Sequence, residues 1–531
     1  MKELFKIEKR RWIIVCVESF LLTVALVWGF QMDRAHSLSV SIPVILAFLG
    51  IFALTGLILI LVYSLFDRAK VSAKSSKSFS LKLVFFVSFG ILAAVYLVQF
   101  LALYPGLFIY DSSWQLDTFR AGEVSEHHPV LHTVMLAKIV DGFASDMWHI
   151  NRGVAVYIII QILFFSLAGA YTITYVYRKL KSLCLSIVSL AFLGLYTPVV
   201  LQVLTVTKDS NFMICFMAAA VLTLELAEDP EAFFKKPAKL VLWPLSVTLM
   251  AIFRNNCVYA VPFLFVAIIL VLKKKRALGG ALIGASVVLY VLYKVLFVPA
   301  FVTEKVDGRE FFSVPAQQLA RVYSAENAKI TDSEKEVIEA LIGGEGLNGY
   351  IPKNADPVKS ALNMDYYKAN AGTVRSTYLS LLSKNPKIFF EAFLENTLGF
   401  WYPECELVLY PDGRTGYWVI GCYPYAVFNS KLSFTLPYYR LFESSEFVTG
   451  NPVTSLLFAP GTFLFVFLIM FFYAIEQKKK SFIALFSFVF VFWLTYLLGP
   501  LAMVRYINYL FALVPLYFVL VADKSNGTKS I

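Results

Sequence analysis

LVFFVSFGILAAVYLVQFLALYPGLFIYDSSWQ, residues 83–115, is the stretch on which the fold turns. From Leu83 to Leu103 it holds no charged residue. About 20 apolar residues in a row make a helix long enough to cross a hydrocarbon core about 30 Å thick. Pro105-Gly106 ends the run, and the polar segment Tyr110-Asp111-Ser112-Ser113 follows at once. Similar runs lie near 12–30, 41–66, 153–177, 182–204, 210–227, 240–253, 257–272, 277–298, 453–474, 481–498 and 506–522. They predict an all-α polytopic membrane protein with about 12 transmembrane helices. The run 240–253 is short, contains Pro244 and meets Arg254-Asn255-Asn256. It reads as one of two spans joined by a tight polar turn, with a single broken helix as the alternative. Composition agrees: 59% of the 531 residues are hydrophobic and 16% charged, with mean hydropathy +0.69. A soluble chain runs nearer about 45–50% apolar and about 25% charged. That excludes an ordinary cytosolic enzyme and a disordered chain. Six cysteines in so long a chain do not make a disulfide framework.

The formal charge of +11 would suggest nucleic acid in a soluble protein. In a membrane protein it points instead to basic loops on the cytoplasmic side, and no nucleic-acid partner is expected. Lys9-Arg10-Arg11, Arg68 to Lys82, Arg178-Lys179, Lys235-Lys236, Lys273 to Arg276 and Lys478 to Lys480 fall in alternate connections. They predict a cell-membrane protein of bacterial type with both termini cytoplasmic, and a first span retained as an anchor. Four divisions follow. Residues 1–82 hold two N-terminal spans. Residues 83–298 form a transmembrane core with an outer loop at 104–152. Residues 299–452 form an α-rich insert on the outer face, and 453–531 hold three last spans and a short tail. Within the insert, Thr331 and Glu334 have capping-box spacing, and Asn385-Pro386 reads as an N-cap and first helical residue. After Trp401 the Tyr, Pro and Gly content predicts turns and short strands. Cys405 and Cys422 lie in this outer region as a possible disulfide pair.

Charge within the hydrocarbon region is costly and points to function. Glu18, Glu225 and Lys294 are the few such residues. The notable polar clusters sit instead at span ends: Tyr110-Asp111-Ser112, His127-His128-Pro129, Lys208-Asp209-Ser210, Arg254-Asn255-Asn256 and Arg505-Tyr506. The topology brings them all to the outer face. Asp111 has two readings: a helix N-cap, or a carboxylate base that takes a proton from an attacking hydroxyl. Asp117 is its nearest competitor and reads as a solvated face. His128 and His132 share a helical spacing, but the glutamate of a zincin pattern is missing. Residues 130–143 read as an amphipathic helix on the membrane surface. Lys208 and Asp209 cap a span or bind a ligand. Lys208, Arg254 and Arg505 are snorkelling anchors or, together, a phosphate site.

With an aspartate just past a span, then His128-Pro129-Val130-Leu131 and a late Arg505-Tyr506 after Gly499-Pro500, the chain resembles the membrane glycosyltransferases of the GT-C fold. Protein mannosyltransferases and the aminoarabinose transferases of lipid A are examples. The insert, with Ser313-Val314-Pro315-Ala316-Gln317-Gln318, looks like that of a bacterial multi-pass family related to this fold. Members often carry an acidic pair in the first outer loop, whereas here Ser112 follows Asp111. The resemblance implies a polyprenyl-phosphate-linked sugar donor and an envelope glycan, lipid or protein acceptor. It implies a single inverting displacement, with Asp111 as catalytic base. Substrate contacts would come from Tyr110, His127, His128, Lys208, Asp209, Arg254, Asn255, Arg505 and Tyr506. No cofactor is certain from it, and a divalent metal is possible, since such families differ in that need. Three other readings compete: a polysaccharide polymerase or ligase using a lipid-linked oligosaccharide, a transporter or lipid flippase, and a non-enzymatic envelope-assembly scaffold. The transporter would need polar residues lining a route to the inner face.

Overall fold

The structure, a computed structural model, describes residues 9–69, 79–147, 149–407, 409, 415–422 and 424–523. Its regular elements among these residues are all helices. Seven are long and apolar enough to cross a bilayer, or nine if each of two bent helix pairs counts as one span. This is an all-α membrane protein. In chain order the first helices are α1 (Lys9–Ala35), α2 (Ile42–Arg68), α3 (Leu81–Ala102), α4 (Tyr110–Ala121), α5 (Val130–Phe143), α6 (Asn151–Leu180), α7 (Leu183–Leu195), α8 (Thr197–Val203), α9 (Lys208–Glu228), α10 (Pro230–Phe234), α11 (Pro237–Phe253), α12 (Cys257–Leu272) and α13 (Arg276–Leu292).

Prolines explain where the apolar runs bend. The run 182–204 is α7 and α8, bent by 56°. Pro198 has no N–H to give and its ring crowds the preceding turn, so the helix restarts there. The run 453–474 is Pro452–Phe458 and Pro460–Glu476, bent by 64°. Ala459 between them is extended (φ −72°, ψ 140°), the conformation a following proline imposes. Arg254–Asn256 separates α11 from α12.

Helix α6 is the central post, packed along α3, α5 and α9. At its start, Gly153 lets α6 meet α5 closely: a Cβ there would lie 2.0 Å from the Val140 carbonyl oxygen. Gly153→Val should therefore lower stability by about 1–3 kcal/mol through overpacking. Thermal unfolding in detergent checks this, and an unchanged midpoint would contradict the contact. Of the isolated charges named from the sequence, Glu225 and Lys294 are ion-paired, and Glu18 is hydrogen-bonded through one oxygen only. Tyr63 Oη donates to Glu18 at 2.6 Å. Glu225 meets Arg178 at 2.6 Å and Lys239 at 2.8 Å. Lys294 pairs with Glu126.

The insert divides by packing. Ile338, Leu341, Ile342, Val358, Leu381 and Phe389 form a separate small core, whereas Leu394, Leu398, Tyr402 and Trp418 join the main one. Thr331 and Glu334 make the capping box at the start of Asp332–Asn348. Asn385 precedes Pro386–Thr397, but its Oδ1 accepts from the Lys329 N–H at 2.7 Å instead of capping. The strands expected after Trp401 do not form among the described residues. Burial of Tyr402, Leu407, Tyr417 and Trp418 pins this segment, and it makes only isolated bridges, such as Phe108 with Cys422. The Cys405–Cys422 disulfide is also corrected: both are free thiols. Cys405 is buried, and Cys422 Sγ lies 3.3 Å from the Gly106 carbonyl oxygen. A latch ties the insert to the end of α1. Glu395, 0% exposed, meets Arg321 at 2.9 Å and also His36. Lys353 meets Asp33 at 2.7 Å.

Candidate functional site

The polar clusters from four separate parts of the chain converge at one end of the helical bundle. Backbone pairing sets the position of α4. Leu107 N–H donates to the Leu204 carbonyl at 2.8 Å, and Val206 N–H returns to the Leu107 carbonyl at 2.9 Å. Gly106 at φ +112° makes the turn into this pairing, a conformation that glycine alone adopts freely. Ser112 Oγ then donates to the Val206 carbonyl. The first turn of α4 is thereby held against the first turn of α9.

Asp111 is not the N-cap of α4; Ile109 is. Its carboxylate instead takes Arg505 Nη1 at 2.9 Å and Lys208 Nζ at 3.5 Å on one oxygen. Lys208 Nζ also contacts His128 Nδ1 at 2.6 Å. A neutral imidazole accepts this bond, and the geometry requires that form. Asp209, 1% exposed, lies 2.8 Å from Arg254 Nε and 3.8 Å from Arg505 Nε. Tyr506 lies under both guanidiniums, with its ring centre 4.5 Å from Arg254 and 5.3 Å from Arg505. Tyr496 stacks on Tyr506 at 5.7 Å. Three cations thus face two carboxylates, so the cluster is one charge short of neutral. Arg254 Nη2 is buried with no hydrogen-bond partner, while Arg254 Nε and Arg505 Nε face Asp209 as ion pairs without an aligned hydrogen bond. Buried donors nearly always have partners. Unmet guanidinium N–H groups in an electropositive pocket suit an incoming anion.

The titrations follow from this geometry. Burial pushes the Asp111 carboxyl up, but Arg505 and Lys208 outweigh it and hold it well below the usual carboxylate range. Burial, then Lys208, keeps His128 well below the usual imidazole value. Burial also lowers His127, against the opposing pull of Glu310.

A buried polar chain supports the site from below. His132, pushed down to about 3 by burial and then Lys208, is a neutral ring between two partners. Its Nδ1 meets Gln115 Oε1 at 3.1 Å, and Tyr157 Oη meets its Nε2 at 3.0 Å. Asn211 Nδ2 donates to Tyr157 Oη at 2.7 Å. Gln115 also donates to Thr133 Oγ1 at 2.8 Å. The pairing of His128 with His132 as metal ligands is therefore not formed, because each ring has its own partner. Among the described residues no three His, Cys, Asp or Glu side chains group to hold a metal ion.

The remaining expected residues fall at the margins. Tyr110 is 74% exposed, at the rim of the charged cluster rather than in it. His127 lies against Trp114 and His128 and is 3.6 Å from Glu310 of the insert. Asn255 donates to the Glu126 carbonyl at 3.4 Å and lines a narrow cleft with Glu126, His128, Tyr293 and Lys294. Asp117 is engaged by the Tyr425 hydroxyl, away from the cluster. Sequence reasoning missed Gln115, Tyr157, Asn211, Trp114 and Glu310. Gln115 is the one with a signal, because it falls four residues past Asp111 on the same helical face.

A model described as "Family of unknown function (DUF6020)" matches residues 119–410, more than half of the chain. The chain belongs to the DUF6020 family. The DUF6020 match takes in His127, His128, Lys208, Asp209, Arg254 and Asn255, but not Asp111, Arg505 or Tyr506. No curated protein matches the chain, and no solved structure does either.

Breaking the buried pairing should be costly. Asp209→Asn leaves Arg254 without its buried carboxylate, and about 3–5 kcal/mol of stability should be lost. Thermal unfolding of the purified variant reads this directly, and a loss under about 1 kcal/mol would mean that the guanidiniums are solvated instead.

Proposed function

We propose that this DUF6020 protein is a membrane glycosyltransferase of the GT-C type, with about 12 spans and this site at the outer face. It moves a sugar from polyprenyl phosphate to an extracytoplasmic acceptor. The observation that carries the reading is the cluster in which Asp111 is held by Arg505 and Lys208, beside the unmet Nη2 of Arg254. A base and an anion site in contact are what such a transfer needs. Twelve crossings follow if α12 and α13 form a hairpin and the shorter apolar helices Pro237–Phe253 and Lys480–Tyr496 also cross. The basic turns at Lys273–Arg276 and Lys478–Lys480 then lie inside, with both termini.

In this mechanism the donor phosphate docks on Arg505, Lys208 and Arg254. Its negative charge draws those cations away from Asp111. The carboxylate, until then too weakly basic to act, gains basicity as its counter-ions are shared. It takes the proton of the acceptor hydroxyl while that oxygen attacks the anomeric carbon. The C–O bond to phosphate breaks with inversion, and the leaving phosphate oxygen carries away the bonding pair against the arginines. The base is thus released only when a donor is bound, which limits wasteful hydrolysis.

Purified protein in lipid, given radiolabelled polyprenyl-phosphate sugars and crude envelope acceptor, tests the reading. Release of free polyprenyl phosphate is the expected result. Turnover only of a pyrophosphate-linked oligosaccharide would move the function to a polymerase or ligase. Folded protein that turns over neither would count against a transferase.

A further inference from the structure

The turn between α12 and α13 carries Lys273, Lys274, Lys275 and Arg276 in succession. Lys273, at φ 43° and ψ −91°, breaks the α-helical run between α12 and α13. Lys275 pairs with Glu231 at 2.9 Å, and Arg276 Nε donates to the Ile269 carbonyl at 3.2 Å. Lys273 and Lys274 are exposed and have no ion pair among the described residues. Within about one helical turn of them the two helices part around an open apolar groove. It is about 350 Å³ in volume and lined by Phe265, Val266, Ile269, Leu270, Gly280 and Ile283. The two glycines shape it. At Gly279 a Cβ would strike the Leu272 side chain, 2.4 Å away, so the hairpin is pinched there. At Gly280 a Cβ would meet nothing within 4 Å, so the groove stays open.

We infer that this hairpin binds one anionic phospholipid. Its phosphate rests on Lys273 and Lys274, and an acyl chain lies in the groove beside Gly280. Two features together select this occupant. Free cations at the end of an apolar hairpin lie at headgroup depth, where each is worth a favourable contact to an anionic lipid. The groove begins next to them and runs along hydrocarbon-facing side chains, so one amphiphile satisfies both. A peptide would leave backbone polar groups unmet there.

Native mass spectrometry of the full chain released from nanodiscs tests this, with phosphatidylglycerol and phosphatidylcholine as probes. The wild type should retain one phosphatidylglycerol in preference to phosphatidylcholine. Lys273→Ala with Lys274→Ala should weaken that binding by roughly 25-fold, at about fivefold per lysine. Gly280→Phe, which fills the groove from an open position, should also displace the lipid. Retention of phosphatidylglycerol by either variant, or equal uptake of phosphatidylcholine, would overturn the assignment. If Gly280→Phe fails to fold, the lysine pair decides alone, since both lysines are exposed and neither packs in the core.

Discussion

Asp111→Asn should lower kcat by about 10²–10⁴, the usual contribution of a positioned general base, and should not raise KM. Asparagine keeps the side chain's size, so α4 keeps its place. It removes the negative charge that competes with the donor phosphate for Arg505 and Lys208. Donor binding should therefore tighten or hold while chemistry fails. A residue that only held the fold would move both parameters together and lower the melting temperature. Steady-state turnover of a labelled donor, with a binding isotherm for polyprenyl phosphate, separates these outcomes. A variant within about threefold of wild type in kcat would remove Asp111 from the chemistry, since the loss of a base costs at least about 10².

Arg505→Gln should do the opposite. It removes one of the guanidiniums that meet the phosphate, and kcat/KM should fall by about 10²–10³, as when a developing oxyanion loses a charged donor. It should also change the pH profile. In the wild type Arg505 and Lys208 hold the Asp111 carboxyl well below the usual range despite burial. The charged form of Asp111 is then the native one throughout the neutral and mildly acidic range. Its contribution to stability is present above the unfolded value of about 3.9 and is lost as pH falls through the lower folded value. So kcat/KM, which reports free enzyme, should show no acid limb from Asp111 above about pH 4. Without Arg505, burial is less opposed, and that limb should move up. In the wild type the kcat limb should lie above the kcat/KM limb, because bound donor shares the cations. Coincident limbs would contradict the release of the base by the donor.

Much of this site was legible in the sequence for one reason. In a chain with so few charges, those at the ends of apolar runs must find partners, and Asp111, Lys208, Asp209, Arg254 and Arg505 find one another. The common face of the motifs thus emerged from topology alone. The pairing within the cluster did not, because it depends on which turn of α4 faces α9, and Ser112 with the Leu107 pairing sets that. The supporting chain of Gln115, His132, Tyr157 and Asn211 was hidden for a related reason. Polar residues at helical spacing read as a wet face, and only packing shows that they are buried together. Thr331 with Glu334 was readable because a capping box is local. Cys405 with Cys422 was not, because a disulfide depends on the path of the whole insert. The bends at Tyr196 and Ala459 each had a proline to mark them, yet a hydropathy run passes over a bend without a change. Tyr110 and Asn255 were drawn in by their neighbours, and the structure leaves them at the margin.

The stereochemistry of transfer tests the central claim most directly. A polyprenyl-phosphate sugar of defined anomeric configuration would be turned over by the purified protein, and the glycosidic linkage formed would be read by NMR. A single displacement by a hydroxyl that Asp111 deprotonates predicts transfer with inversion. Retention, or donor breakdown with no linkage formed to any acceptor, would contradict the account.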